Sequence, residues 1–111
     1  MTISKKLFRT GPYADFYSQA VQVGDSIFLS GQVGIDDAGT VPSDLLSQMS
    51  LAYKNIETIL MEYGASLDNI VDETWFVTDI NDCMAQVPAL FSAREKFYGK
   101  KPEVCQTLVQ V

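Results

Sequence analysis

The chain has 111 residues and no histidine. That absence removes the Ser-His and Cys-His pairs that activate most nucleophiles. It also removes the commonest zinc ligand. Only two cysteines occur, Cys83 and Cys105, in no CxxC and in no metal-ligand spacing. Their number allows one disulfide, but nothing else suggests a secreted scaffold. Nothing nearby would lower either thiol's pKa, so both read as buried structural residues. Basic residues are scarce, with 8 Lys and Arg against 14 Asp and Glu, for a net charge of −6. Phosphate backbones and anionic membranes are bound through clustered cations, so nucleic-acid and membrane partners are disfavoured. No segment approaches the roughly 20 apolar residues of a membrane span. Met1 to Leu7 carries lysines but no apolar run after them. Cytoplasm is the expected compartment.

Hydrophobic residues make up 47% of the chain, enough for one packed core. The length predicts a single domain over residues 1–111. So small a domain leaves much apolar surface to cover, and association with copies of itself is one way to cover it. Tyr17 to Val23 alternates in strand fashion and is followed by Gly24-Asp25 and a second β-rich run, Ser26 to Val33. Two such runs joined by a glycine-containing pair predict a hairpin. Asp36 to Gly39 reads as a further turn. Ser43 is the expected N-cap of a helix, with Asp44 at the positive end of its dipole. Leu45, Met49, Ala52, Ile56, Ile59, Leu60 and Tyr63 form its apolar stripe, and Gly64 its stop. Ile70 to Thr78 reads as a strand broken by Asp79 to Asp82. A second helix is expected from about Val87 to Tyr98, with Pro88 in its first turn and Gly99 after it. Val104 to Val111 reads as the last strand.

The order hairpin, helix, strand, helix, strand predicts an α+β fold, a mixed β-sheet with both helices packed on one face. The other face needs a different cover, such as sister subunits. The final strand needs a partner for its edge.

Several segments together resemble the YjgF/RidA family of reactive intermediate deaminases, also known as L-PSP endoribonucleases. They are Tyr17-Ser18-Gln19-Ala20-Val21, Gly24-Asp25, Phe28 to Gly34, the helix with Asn55 and Ile56, Gly64 to Val71, and Phe76 to Asp79. The likeness runs from about Gly11 to Val111, and Tyr13 to Ser18 is closer to the divergent YjgH-like branch. The resemblance implies a chorismate-mutase-like fold and a homotrimer whose sheets face inward. It also implies a small-molecule site between subunits where enamines and imines are hydrolysed, and neither metal nor organic cofactor. An imine carbon is already electrophilic, so such a site has only to hold the substrate, polarise it and place a water.

Carried over residue by residue, the resemblance makes Tyr17 and Ser30 substrate-binding residues. The family's carboxylate-binding arginine lies three residues before the first valine of a Val-x-Val, which places Gln106 there. Its helix asparagine falls on Phe91, and Leu108 takes a position often held by cysteine. The strand that follows Val-x-Val, with its water-activating glutamate, has no counterpart before Val111. Glutamine cannot make a bidentate ion pair. Losing a charge-assisted hydrogen bond costs about 1.5–3 kcal/mol, which weakens an amino-acid-derived substrate roughly tenfold to a hundredfold.

The resemblance therefore implies an imine hydrolase of altered specificity, its catalytic groups unassigned. A non-catalytic trimer that binds a small metabolite is the alternative. A ribonuclease is disfavoured by the acidic composition and the lack of histidine. Trp75 is expected to pack under a helix or at an interface. Arg94 is expected to be solvated or salt-bridged rather than to replace the lost pocket charge. Asp72 and Glu73 are neighbours on a strand and so point to opposite faces.

Overall fold

A computed structural model describes residues 1–111. The chain opens with a short strand, β1 (Lys6–Phe8), followed by β2 (Ala20–Val23) and β3 (Ser26–Leu29), which form an antiparallel sheet in that order. Gly24 makes the β2–β3 hairpin possible. Its φ is 57°, and no non-glycine residue has positive φ, so the turn needs glycine at its first central position. The registers Ala20↔Leu29 and Val21↔Phe28 follow from this two-residue turn.

Helix α1 spans Leu45–Met61. Its N-cap is Asp44, whose carboxylate accepts a 3.0 Å hydrogen bond from Ser47 N; the expected cap was Ser43. The side-chain hydrogen bond with Ser47 lowers the Asp44 pKa below its ordinary value. The expected stripe supplies Met49, Ile56, Ile59 and Leu60 to the core, but the most buried residue of the helix is Tyr53, at 2% exposure. A 3-10 turn at Leu67–Asn69 leads into β4 (Asp72–Val77). The supposed breaker after β4 is itself a helix, α2 (Ile80–Ala85). Asp79 caps it by accepting from Asp82 N at 3.0 Å. Helix α3 (Val87–Tyr98) then runs to Gly99, whose φ of 73° ends it. The last strand, β5 (Cys105–Gln110), lies parallel to β4 with Glu73 opposite Gln106 and Trp75 opposite Leu108.

The fold is α+β, as expected. Two features refine the expected layout. There are three helices rather than two. The strands form two hydrogen-bonded sheets, β1-β2-β3 and β4-β5, where one mixed sheet was expected. The core lies between α1, α3 and the inner faces of the strands, where Tyr53, Leu60, Leu67 and Tyr98 pack together with Leu29 and Trp75 against them. The core is small. Only eight residues are buried, while Phe28 and Phe76 stay about two-thirds exposed on the strand faces. No helix is long and apolar enough to cross a membrane.

Cys83 is buried in α2, and burial pushes its thiol pKa up. Cys105 is exposed, contrary to expectation, because strand alternation turns it to the face that Gln106 does not occupy. Both cysteines are free.

Candidate functional site

The five substrate-binding candidates fall into two groups. Tyr17 lies just before β2 and Ser30 just after β3. Phe91, Gln106 and Leu108 gather around β4 and β5.

Tyr17 closes a turn that starts at Gly11. Its N–H donates to Tyr13 O at 3.2 Å, and its ring stacks on Tyr13 with centroids 6.0 Å apart. The ring is 43% exposed, so one side is open to a ligand or a neighbouring subunit. Ser30 continues past β3. Its N–H donates to Gln19 O at 2.9 Å, and its Oγ donates to Ser18 O at 2.7 Å. The serine's proton is thus held by the backbone next to Tyr17, and its oxygen keeps acceptor capacity. Gln32 fixes the rim by donating to Gln19 Oε1 and to Ser30 O. Gly31, beside Ser30, has open space where a Cβ would stand, so it marks no close approach. The close approach is at Gly34, where a Cβ would collide with the backbone of Gln48 in α1.

The second group centres on a residue that the sequence left unassigned. Glu73 points inward from β4 and Asp72 outward, so the two occupy opposite faces as expected. Glu73 Oε1 accepts from Arg94 Nε at 2.6 Å and pairs with Arg94 Nη2 at 2.5 Å. Gln106 Nε2 reaches the same oxygen at 3.4 Å. Glu73 Oε2 accepts from Tyr53 at 2.7 Å and from Tyr98 at 3.2 Å. Trp75 Nε1 donates to the Tyr53 hydroxyl at 3.2 Å. α1, β4, α3 and β5 all meet at this one carboxylate. Arg94 is salt-bridged, as expected, and stands over the rings of Phe91 and Tyr98. Phe91 packs on Trp75 at 5.3 Å, and Leu108 shares Trp75's register. Burial first, and then the Glu73 charge, pushes the Tyr53 and Tyr98 hydroxyls well above the ordinary tyrosine range.

This arrangement constrains what can bind there. Gln106 offers amide hydrogens, yet one is directed at Glu73. A ligand group at Gln106 would lie beside the Glu73–Arg94 ion pair. No three His, Cys, Asp or Glu side chains converge as a metal site would need.

A long groove separates the two sheets. It has a volume of about 1260 Å3 and runs between β3 and β4 beneath α1. Ser30 and Trp75 line it; Tyr17, Phe91, Gln106 and Leu108 do not. The sequence could have flagged Glu73 through its inward position on a strand facing two helices. Its partners stand 20 to 33 residues away in the chain, and no local spacing signals them.

Residues 10–111 match the family model described as Endoribonuclease L-PSP. The chain is 40% identical over 81 residues to the RutC family protein YjgH of Escherichia coli, a match covering 69% of this chain and 62% of that protein. It is 41% identical over 68 residues to the mouse 2-iminobutanoate/2-iminopropanoate deaminase, covering 60% of this chain and 50% of that enzyme. The match thus spans less than two thirds of either relative. The crystal structure of the Escherichia coli YjgF gene product superposes with a TM-score of 0.80 at 31% identity, covering 96% of this chain and 85% of that one. With a family model over nearly its whole length and a solved member sharing its fold, the chain belongs to the YjgF/RidA (L-PSP endoribonuclease) family.

Proposed function

We propose that the protein hydrolyses a small enamine or imine in a cleft between subunits of a homotrimer, and that it favours substrates without a carboxylate. The reaction adds water across C=N and expels ammonia, leaving a carbonyl. The observation that carries the specificity is the Gln106–Glu73 hydrogen bond. It leaves an uncharged amide at the position of the family's arginine, held against the Glu73–Arg94 ion pair. Likeness to the mouse deaminase supports the reaction class. Tyr17 and Ser30 flank the three-stranded sheet while Phe91, Gln106 and Leu108 sit on α3 and β5, and a second subunit could bring the two groups together. Exposed Phe28 and Phe76 supply apolar surface for such contacts.

A panel of freshly generated imines, with ammonia release followed by a coupled assay, tests the reading. Turnover is expected with neutral imines, and Tyr17→Phe and Ser30→Ala are expected to reduce it. A rate no higher than buffer across the whole panel refutes it.

The second reading is a trimer that binds a metabolite without turning it over. The observation that favours it is the Ser30 hydroxyl, whose proton is already donated to Ser18 O. A metabolite that raises the melting temperature and is recovered unchanged would establish it.

A further inference from the structure

Gln106 is held in one of the two orientations that a carboxamide can take. Glu73 Oε1 accepts from Arg94 Nε and pairs with Arg94 Nη2, so it belongs to a carboxylate and can only accept. Gln106 meets this oxygen at 3.4 Å, and only its nitrogen end can do so without setting two oxygens face to face. The carbonyl end, Gln106 Oε1, is thereby turned away from Glu73. It accepts no hydrogen bond within the chain, and no unpartnered side-chain nitrogen or oxygen is fully buried, so it is open to a ligand.

Arg94 is left in the complementary state. Its Nε and Nη2 are spent on Glu73, while Nη1 has no partner within the chain and is likewise reachable. Both side chains end on one Glu73 oxygen, so a free acceptor and a free donor are neighbours.

We infer that this pair recognises a primary carboxamide on the substrate, whose N–H donates to Gln106 Oε1 and whose carbonyl accepts from Arg94 Nη1. The inference rests on the reading that Gln106 lines the substrate cleft, and it names the group that the cleft selects. A carboxylate can accept from Arg94 Nη1, but its second oxygen meets the lone pairs of Gln106 Oε1, and Glu73 already balances the Arg94 charge. An ester carbonyl accepts equally but leaves Gln106 Oε1 without a donor. A polar group left unmet in a closed cleft costs more than an average hydrogen bond gains, so the amide N–H decides the preference. Phe91 and Leu108, both set against Trp75, offer apolar surface to the short carbon skeleton. The carboxamide passes through the reaction unchanged. Water adds to the C=N carbon, the imine nitrogen leaves as ammonia, and a 2-oxo amide remains.

That product class supplies stable probes. Pyruvamide, methyl pyruvate and pyruvate differ only in the group at issue, and comparing them requires no turnover. Titration calorimetry on the 111-residue protein is expected to show pyruvamide bound most tightly, by about tenfold over methyl pyruvate, the effect of one unmet hydrogen bond. Gln106→Leu removes the acceptor at similar size and is expected to bring pyruvamide to the level of methyl pyruvate. Equal binding of pyruvamide and methyl pyruvate by the unaltered protein overturns the inference, and that comparison needs no variant to fold. Tighter binding of pyruvate, no binding of any of the three, or a preference that survives Gln106→Leu overturns it as well. Ammonia release separates this inference from the hydrolase reading. Turnover of neutral imines with no preference among the probes refutes the carboxamide site alone. A preference for pyruvamide with no turnover of any imine supports the site and refutes the hydrolase.

Discussion

Glu73 is the residue on which the interior depends most. Its carboxylate is nearly buried and faces an equally buried Arg94, each 11% exposed. Removing one member of such a pair leaves the other charged and desolvated. Glu73→Gln is therefore expected to cost about 3 kcal/mol, read as a lower urea midpoint with an unchanged m-value. The double change Glu73→Gln with Arg94→Met is expected to recover part of that loss, since no uncompensated charge remains. The two tyrosines on the same carboxylate give a pH signature. Folding raises the pKa of Tyr53 and Tyr98 above the unfolded value of 10.0. Their contribution to stability is complete below pH 10 and is lost as pH rises beyond it, because only the unfolded state ionises them readily. In a spectroscopic titration, two of the five tyrosines should ionise only together with unfolding.

At the scale of elements, local signals decided what could be read from the sequence. Gly24 announced the hairpin, because a two-residue turn needs its positive φ. Helices α1 and α3 announced themselves by periodicity and by their terminal glycines. β1 was invisible, since Lys6-Leu7-Phe8 is too short to show alternation. α2 was misread because Asp79 and Asp82, which look like breakers, form its cap. The candidate site was legible only in part. Family likeness located Gln106 and Ser30, but the partners that define them, Glu73 and Ser18 O, come from pairing that sequence spacing does not encode. Two substitutions test the element boundaries. Asp44→Ala removes the α1 cap and is expected to cost about 1 kcal/mol. Gly34→Ala forces a Cβ against the Gln48 backbone and is expected to cost about 1–3 kcal/mol, measured by thermal and urea denaturation.

At the scale of the whole molecule, the question is how a chain with eight buried residues covers its apolar surface. The proposed association of subunits through the exposed strand faces would cover it, and on that proposal sedimentation should find a trimer. Phe76→Asp is expected to shift that equilibrium toward monomer while far-UV circular dichroism stays unchanged, because Phe76 points out of the core. The same assembly would bring Tyr17 and Ser30 of one subunit to the Gln106 region of another and so complete the cleft. The specificity of that cleft is the central claim, and a matched pair of imines tests it most directly. One bears a carboxylate and the other is its neutral amide, and kcat/KM for ammonia release is measured on both. The Gln106–Glu73 arrangement predicts a higher kcat/KM for the neutral imine. A preference for the carboxylate would contradict it.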